Sequence, residues 1–148
     1  MKILIQTVSK ASVMVDNATV GSIKKGALIF LGITHSDTKE RGQFLAGKLI
    51  HLRMFKDAEG KTNHSLLDIE GEILIISQFT LYADCLSGRR PSFTQAAPPD
   101  MAKELYENFI KEVKKSELVV QTGIFGAYME VSLVNQGPFT LMIEKTDD

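Results

Sequence analysis

The chain has 148 residues, of which 44% are hydrophobic and 24% charged, and this is the size and composition of one soluble domain with a core of its own. Its formal net charge is −1, from 17 Lys+Arg against 18 Asp+Glu. Because each phosphate contact needs a cation, this balance excludes a strongly basic nucleic-acid binder, and any nucleic-acid partner must be contacted locally or weakly.

The first third of the chain predicts β-structure. Apolar residues alternate toward a turn at Asp16-Asn17 and continue toward a second turn at 24–26. The residues of this pattern are Ile3, Ile5, Val8, Val13, Val15, Val20 and Ile23. The continuous apolar run 27–33 indicates a strand that is buried on both faces. We therefore expect a sheet to form before the first helix.

A helix is expected to follow this sheet. Asp37, with Glu40 three residues later, has the spacing of a capping box at a helix start. The apolar face of the helix would consist of Phe44, Leu45, Leu49 and Leu52. After a turn at 57–60 and a loop at 62–67, residues 72–79 predict a central strand, because they form the second long apolar run of the chain.

The segment 83–99 has little periodicity and is interrupted by Gly88, Pro91, Pro98 and Pro99. It predicts a long loop, and such loops are more often functional than idle. Asp100 is then expected to cap a second helix, whose apolar positions recur every four residues. These positions are Met101, Leu105, Phe109 and Val113.

Three strands are predicted to complete the chain, at 119–121, 129–133 and 139–143. The last two are expected to be joined by a hairpin turn at 135–138. No internal repeat or linker is visible. We therefore predict an α+β fold in a single domain spanning residues 1–148, in which a curled mixed β-sheet or small barrel is covered by two helices.

Common catalytic and cofactor motifs are absent from the sequence. There is no phosphate-binding loop, no dinucleotide fingerprint, no G-x-S-x-G elbow and no H-E-x-x-H. The histidines His35, His51 and His64 lack a second ligand at metal spacing, so surface or loop positions are favoured for them. We expect neither a cofactor nor a metal.

The single cysteine and the apolar runs bear on location. Cys85 excludes an intrachain disulfide and is typical of a reducing compartment; no activating neighbour is evident, so a spectator thiol is favoured over a nucleophile. No apolar run is long enough to span a bilayer, and no secretory signal is recognisable. We expect a cytoplasmic protein.

Two stretches could carry chemistry. The strand at 72–79 changes at its end from apolar to polar, in Ser77-Gln78-Phe79-Thr80. These residues either satisfy a turn, which is the commoner use of polar residues there, or form a cluster of donors for an ester carbonyl. The second stretch, 135–140, is either a plain hairpin turn or a Gly-Pro element that exposes main-chain carbonyls.

In combination and in this order, the two stretches resemble the signature motifs of the D-aminoacyl-tRNA deacylase family. The first reads Ser-Gln-Phe-Thr-Leu-Tyr-Ala-Asp at 77–84, and the second reads Asn-x-Gly-Pro-x-Thr at 135–140. The resemblance covers the whole chain. It includes residues 5–13, Leu-Arg-Met-Phe at 52–55, Gly-Arg-Arg-Pro-Ser-Phe at 88–93, Gly-Ile-Phe-Gly-Ala at 123–127 and Val-Ser-Leu-Val-Asn at 131–135.

This resemblance implies an enzyme that hydrolyses the ester of D-aminoacyl-tRNA, and also glycyl-tRNA mischarged on tRNA-Ala. It implies a homodimer with active sites at the subunit interface, where the catalytic residues Ser77, Gln78, Phe79 and Thr80 line a pocket for the 3′ end of the aminoacyl-tRNA. Gly137 and Pro138, joined by a cis peptide, would enter from the partner subunit and reject L-residues with their carbonyls. Arg89 and Arg90 would contact the tRNA. Neither DNA nor a membrane is expected as a partner.

Two mechanisms remain open at this point. Thr80 resembles the residue that has been proposed in the family as a nucleophile, but no histidine or carboxylate lies in the motif to deprotonate it. In the alternative, which we favour, the ribose 2′-hydroxyl of the substrate orients or activates water. Backbone N–H groups of Phe79 and Thr80 then stabilise the oxyanion. Relatives commonly have arginine in place of Thr7, where it helps to hold the Gly-Pro element.

Two other classes of function fit the sequence less well. An RNA-binding module without catalysis would need a basic stripe or interleaved aromatic residues on its surface. A small-molecule-binding barrel would leave the Gly-Pro stretch as a purely structural turn.

Overall fold

The computed structural model describes residues 1–147 as a mixed sheet with helices packed on one side. The strands are β1 (Lys2–Val15), β2 (Ala18–Ile23), β3 (Gly26–Gly32), β4 (Phe55–Lys56), β5 (Thr62–His64), β6 (Glu72–Ser77), β7 (Val120–Thr122) and β8 (Glu130–Glu144). The helices are α1 (Lys39–His51), α2 (Leu66–Ile69) and α3 (Pro99–Lys114), and a 3₁₀ turn spans Phe79–Tyr82. The predicted α+β class with two long covering helices is confirmed. The segment 62–67, which was expected to be a loop, instead contains β5 and the start of the single-turn helix α2.

The sheet is built around two parallel strands with apolar, buried centres. Its order is β2-β1-β3-β6-β7, with β8 on the other side of β1. β3 and β6 run parallel, from Ala27 opposite Ile73 to Leu31 opposite Ser77. Both strands are buried on both faces, as the continuous apolar runs predict.

The sheet curls because β1 changes neighbour along its length. Residues 2–8 of β1 pair with β3, and residues 11–15 pair with β2. The two faces of the sheet therefore bury separate clusters. One includes Ile5, Ile29 and Ile75 under α1 and α3. The other includes Leu28 and Leu74 and is enclosed by β2 and the first half of β8.

The start of α1 differs from the prediction. Its N-cap is Thr38, whose side chain accepts a hydrogen bond from the N–H of Arg41. Asp37 is instead buried, where it pairs with the Met1 amino group and with Arg41. A carboxylate in that position is bound by cations and so is unavailable as a cap. Phe44, assigned to the apolar face, is 49% exposed, while Leu45 and Leu49 are fully buried.

The start of α3 also differs from the prediction, by two residues. Pro98 is the N-cap and Pro99 the first helical residue, which suits proline because the first N–H of a helix has no partner in any case. Asp100 lies in the first turn, where a negative charge faces the positive end of the helix dipole. The predicted face is confirmed, because Leu105, Phe109 and Val113 are buried and Met101 is partly buried.

The predicted hairpin at 135–138 is wrong. Residues 130–144 form one strand, β8, which pairs antiparallel with β1 on both sides of the Gly-Pro stretch. Gln6 faces Thr140 and Val8 faces Asn135, so the four residues 136–139 of β8 lie opposite Thr7 alone. We call residues 136–139 the Gly-Pro bulge. The two halves of β8 pair with β1 and not with each other.

Two glycines of this fold make a matched pair for a stability test. A Cβ at Gly26 would overlap the main-chain oxygen and nitrogen of Glu72, whereas a Cβ at Gly47 in α1 has no atom within 4 Å. We expect Gly26→Ala to lower the free energy of unfolding by about 3 kcal/mol. Gly47→Ala should raise it by about 0.5–1 kcal/mol, through helix propensity. Urea unfolding at one protein concentration measures both changes, and equal changes would contradict this packing of β3 on β6.

Among residues 1–147, no helix is both long and apolar enough to cross a membrane.

Candidate active site

A cavity of about 640 Å³ opens beside the carboxyl ends of β3 and β6. Four segments form its wall: the ends of these strands, residues 77–79, residues 93–99, and the connection from β7 to β8. The lining side chains are mostly apolar. Its size is within the range of small-molecule and cofactor sites. We refer to it below as the cavity.

The predicted motif forms the polar edge of this cavity. Ser77 ends β6, and Ser77, Gln78 and Phe79 all line the cavity. The predicted strand was expected to continue to Phe79, but the chain turns at Gln78 into the 3₁₀ turn. Thr80 lies in that turn and is exposed. The motif is thus a strand end followed by a tight turn, which exposes backbone N–H groups.

Three contacts hold the turn in place. The Gln78 N–H donates to the Leu31 carbonyl at 2.8 Å, and Lys2 Nζ donates to the Leu81 carbonyl at 3.3 Å. Gly32 lets Leu81 approach, because a Cβ on Gly32 would lie 2.9 Å from the Leu81 Cβ. Lys2 Nζ also lies 4.3 Å from the ring centre of Tyr82.

Tyr82 is an uncharged support for this turn. Burial, with the charges of Asp37 and Glu144 nearby, raises the pKa of Tyr82, so the phenol stays protonated at neutral pH. Its hydroxyl donates to a carboxylate oxygen of Glu144 at 3.3 Å. The phenol therefore holds the turn against the end of β8.

The first N–H groups of the 3₁₀ turn have no acceptor among residues 1–147. The Leu81 N–H donates to the Gln78 carbonyl and the Ala83 N–H to the Thr80 carbonyl, whereas no hydrogen bond uses the N–H of Phe79 or Thr80. Unpaired N–H groups are a general feature of a helical N-terminus. Phe79 lines the cavity, and Thr80 is the next residue but lies outside the lining. The start of this turn therefore borders the polar edge of the cavity, and N–H groups there can donate to a developing oxyanion.

The hydroxyl of Thr80 has a donor beside it and no base. Gln78 Nε2 donates a hydrogen bond to Thr80 Oγ1. No histidine, aspartate or glutamate bonds to Thr80 within residues 1–147, and the cavity wall contains no residue of these types. A threonine hydroxyl that accepts a hydrogen bond, with no base to remove its proton, is a poor nucleophile.

Aromatic residues form the rim of the cavity. The rings of Phe79 and Phe93 meet edge to face, with centroids 5.1 Å apart. The segment carrying Phe93 is held by Thr34, which donates to the Gln95 carbonyl, and by His35 Nε2, which lies 2.8 Å from the Thr94 carbonyl. The fixed segment keeps one wall of the cavity in place.

The opposite wall rests on α3. Phe125 lines the cavity and packs against Tyr106 of α3, with ring centroids 5.6 Å apart. The Tyr106 hydroxyl donates to the Ile75 carbonyl at 3.2 Å, and burial raises the pKa of Tyr106 to about 12. This neutral phenol ties α3 to the central strand and fixes Phe125.

Gly137 and Pro138 do not line the cavity of their own chain. Both are exposed in the Gly-Pro bulge, and the peptide bond between them is cis, as the resemblance implies. Asn135 spans the bulge: its Oδ1 accepts from the Phe139 N–H at 2.8 Å, and its Nδ2 donates to the Phe139 carbonyl. Thr7 Oγ1 donates to the Gln136 carbonyl at 2.8 Å. Thr7 therefore helps to hold the bulge against β1.

The two predicted tRNA contacts, Arg89 and Arg90, lie outside the cavity. They are exposed on the loop 84–92, which is closed by mutual backbone hydrogen bonds between Asp84 and Ser92. We call this segment the arginine loop. It leads directly to Phe93 on the cavity rim. Cys85 is also exposed there.

The sequence did not identify several residues of the cavity lining as part of a functional site. They are Leu31, Ile33, Ile76, residues 96–99, Ala102, Phe125, Tyr128, Met129 and Val131. Most are apolar and lie far apart in the chain, so neither chemistry nor spacing marks them as one site. The only available signals were the matching stretches at 88–93 and 123–127, which frame two of the walls. In the part of the chain that the structure describes, no group of three potential metal ligands occurs.

Comparison with known proteins gives consistent sequence matches. Residues 4–144 match the family model described as D-Tyr-tRNA(Tyr) deacylase. The chain is 55% identical over 144 residues to a D-aminoacyl-tRNA deacylase of Thermosipho africanus, covering 97% of each chain. It is 53% identical over 144 residues to one of Bacillus cereus, covering 97% of this chain and 99% of the relative.

Solved structures with the same fold also match. One, titled c-Myc DNA Unwinding Element Binding Protein, is 37% identical with a TM-score of 0.92, and the match covers 99% of this chain and 100% of that chain. A second, described as a probable eukaryotic D-amino acid tRNA deacylase, is 22% identical with a TM-score of 0.83 and covers 96% of this chain. At that identity the second match supports the fold alone.

Proposed function

The chain belongs to the D-Tyr-tRNA(Tyr) deacylase family and is a hydrolase of the D-aminoacyl-tRNA ester bond, and from this premise we propose how its site works. The terminal adenosine and its ester occupy the cavity, with the ester carbonyl at the polar edge formed by Ser77, Gln78 and Phe79. The substrate, and not the protein, supplies the group that activates water. The D-residue is selected by main-chain atoms of a partner subunit.

The observation that carries this mechanism is the combination of free N–H groups with the absence of a base. Within residues 1–147, the N–H groups of Phe79, which lines the cavity, and of the adjacent Thr80 are unpaired, and the cavity wall has no histidine or carboxylate. Water attacks the ester carbon while these N–H groups stabilise the oxyanion. The ribose 2′-hydroxyl, adjacent to the ester oxygen, accepts a proton from the attacking water and passes its own proton to the departing 3′-oxygen, so that the free amino acid and a 3′-hydroxyl are released.

Thr80 contributes to this site by hydrogen bonding. Its Oγ1 accepts from Gln78 Nε2, which leaves the hydroxyl proton free to donate to the substrate. This arrangement orients Thr80 as a donor beside the oxyanion. It gives no help in forming the alkoxide that a nucleophilic role requires.

The decisive assay compares two substrates that differ only in the chirality of the esterified tyrosine. D-Tyr-tRNA and L-Tyr-tRNA are incubated with the protein, and free tyrosine is followed. Release from the D-substrate alone is the expected result. Equal release from both substrates would overturn the proposed selection, and retention of tRNA without any release would favour an RNA-binding module. Glycyl-tRNA-Ala should be cleaved as well, because glycine has no Cβ on either side.

A homodimer is part of the proposal because one chain keeps its two motifs apart. The Gly-Pro bulge lies beside Thr7, which pairs with Ala27 near the start of β3, whereas Ser77 pairs with Leu31 at its other end. Four residues of β3 span about 13 Å. A second subunit can bring its exposed Gly137 and Pro138 to the cavity, which the bulge cannot reach within its own chain.

We predict complementation between two inactive variants. Gln78→Ala damages the cavity edge, and Gly137→Ala damages the element that the partner receives. When the two are co-refolded in equal amounts, each heterodimer contains one intact composite site. About a quarter of the wild-type activity should return if the subunits assort at random. Absence of recovery, or a monomer in sedimentation velocity at micromolar concentration, would exclude the shared site.

Binding of tRNA should depend only weakly on salt. With a net charge of −1, few phosphates can be neutralised, and Arg89 and Arg90 in the arginine loop are candidates. The slope of log affinity against log salt should be about −2 to −4, and Arg89→Ala should reduce it by about 1. The D-to-L preference of this variant should be unchanged. A slope near −8 would indicate a larger RNA footprint.

We place this reaction in the cytoplasm, where tRNA is charged.

A further inference from the structure

Tyr128 lies on the rim of the cavity and is 91% exposed. We propose that its ring stacks on the base of the nucleotide that precedes the terminal adenosine. This inference rests on the proposed function, because it takes the cavity to be the adenosine site. It assigns a separate binding site for a nucleobase, outside the cavity.

The rim offers one unengaged aromatic ring. Phe79 and Phe93 contact each other edge to face, and Phe125 packs against Tyr106. Within residues 1–147, Tyr128 makes no ring contact, hydrogen bond or cation–π contact. An aromatic face left in water at the mouth of a ligand site is available for stacking, since every nucleobase has a π-face.

Tyr128 also separates the cavity from a second depression. That depression has a volume of about 220 Å³ and is lined by Met14, Asp16, Asn17, Tyr128 and Glu130. An RNA strand whose last nucleoside is inside the cavity must leave through its mouth. If the strand leaves across Tyr128, the preceding base meets the ring and the depression beyond it.

The charges of the depression favour a base over the sugar-phosphate backbone. Asp16 and Glu130 carry negative charge there and would repel a phosphate. A neutral base is not repelled, and the exocyclic amino group of cytosine can donate to a carboxylate. Because tRNA ends in cytidine-cytidine-adenosine, the base next to the terminal adenosine is a cytosine. The site therefore suits the chemistry of that nucleotide.

The experiment compares substrates that differ by one nucleotide. The D-tyrosyl esters of adenosine and of cytidylyl-adenosine are hydrolysed by the wild type, Tyr128→Ala and Tyr128→Phe. Loss of one stacked base should raise the KM of Tyr128→Ala for the dinucleotide ester roughly 5- to 100-fold. The KM for the adenosine ester should rise much less than the KM for the dinucleotide ester, because Tyr128 contributes only its rim position to the cavity, and Tyr128→Phe should behave as the wild type. Phe44→Ala, which removes an exposed ring on α1, is the matched control and should change nothing.

Other outcomes overturn the inference. Equal losses with both esters would mean that Tyr128 shapes the cavity or a subunit contact, and unchanged kinetics would mean that it contacts no base. If the wild type hydrolyses neither ester, the assay with D-Tyr-tRNA decides the proposed function separately. Calorimetric titration with adenosine and with cytidylyl-adenosine then still tests stacking: the affinity gained from the added cytidine must be present in the wild type and absent in Tyr128→Ala.

Discussion

A D-tyrosyl-tRNA whose terminal ribose lacks the 2′-hydroxyl should be hydrolysed about 10³-fold more slowly than the normal substrate, the middle of the range for a positioned acid–base group. In the part of the chain that the structure describes, the cavity wall has no histidine or carboxylate that could replace the missing hydroxyl. Single-turnover hydrolysis at saturating enzyme measures this loss without interference from product release. Binding of the deoxy substrate should be nearly normal, because the free N–H groups of Phe79 and Thr80 remain in place.

Thr80→Ala provides the matched comparison for this result. Removal of one contributor to oxyanion stabilisation costs roughly 10²–10³ in rate. Loss of an obligatory nucleophile costs about 10⁶. We expect the smaller effect, because Thr80 accepts from Gln78 and has no base beside it. Two results together would refute substrate assistance and support a threonine nucleophile: Thr80→Ala is inactive toward the normal substrate, and the wild type hydrolyses the 2′-deoxy substrate at the normal rate.

Gly137→Ala should reduce D-Tyr-tRNA hydrolysis about 100-fold, the loss expected from displacement of a positioning group by about 1 Å. Gly137 has φ of +139°, a conformation that L-residues rarely adopt. A Cβ there would lie 2.8 Å from the backbone nitrogen of Phe139, so the bulge must shift. The same shift moves the carbonyls that we propose reject L-residues, and the ratio of D- to L-activity should therefore fall.

Side chains next to this glycine serve as controls. Gln136→Ala should leave the ratio of D- to L-activity unchanged, because Gln136 is held through its main-chain carbonyl, which accepts a hydrogen bond from the Thr7 hydroxyl. Thr7→Val removes that hydroxyl with little change of shape and should lower the D-to-L ratio by a smaller factor than Gly137→Ala. If Gln136→Ala abolished selectivity while Gly137→Ala preserved it, selection would reside in a side chain and the main-chain filter would be wrong.

Local pattern was sufficient where the determining interaction is local or simply apolar. The run 27–33 predicted a strand buried on both faces, and β3 is one, because only a two-sided apolar environment accepts such a run. The four-residue spacing from Met101 to Val113 predicted the buried face of α3. The polar residues at the end of β6 left a plain turn and a donor cluster open as alternatives, and the structure places Ser77, Gln78 and Phe79 in the cavity lining.

Long-range pairing decided what local pattern could not. Asn-Gln-Gly-Pro has the composition of a hairpin turn, but the 14-residue strand β1 pairs with β8 on both sides of it, and the turn residues became a bulge. A turn sequence specifies a local bend and not which strand its flanks will pair with. Asp37 is similar: it has the composition of an N-cap, but the Met1 amino group and Arg41 bind it, so the cap passes to Thr38.

The sequence by itself thus determined the buried central strands, the apolar face of α3 and the polar end of β6, since each follows from the periodicity or composition of one segment. Only the tertiary structure decided three properties of the described residues, 1–147: the cavity wall has no histidine or carboxylate, the N–H groups of Phe79 and Thr80 are unpaired, and Gly137 and Pro138 lie outside the cavity of their own chain. These properties depend on which distant segments meet. The cavity wall forms only when the sheet curls and brings together residues 31–33, 76–79, 93–99 and 125–131. The spacing of these segments along the chain does not predict that they meet.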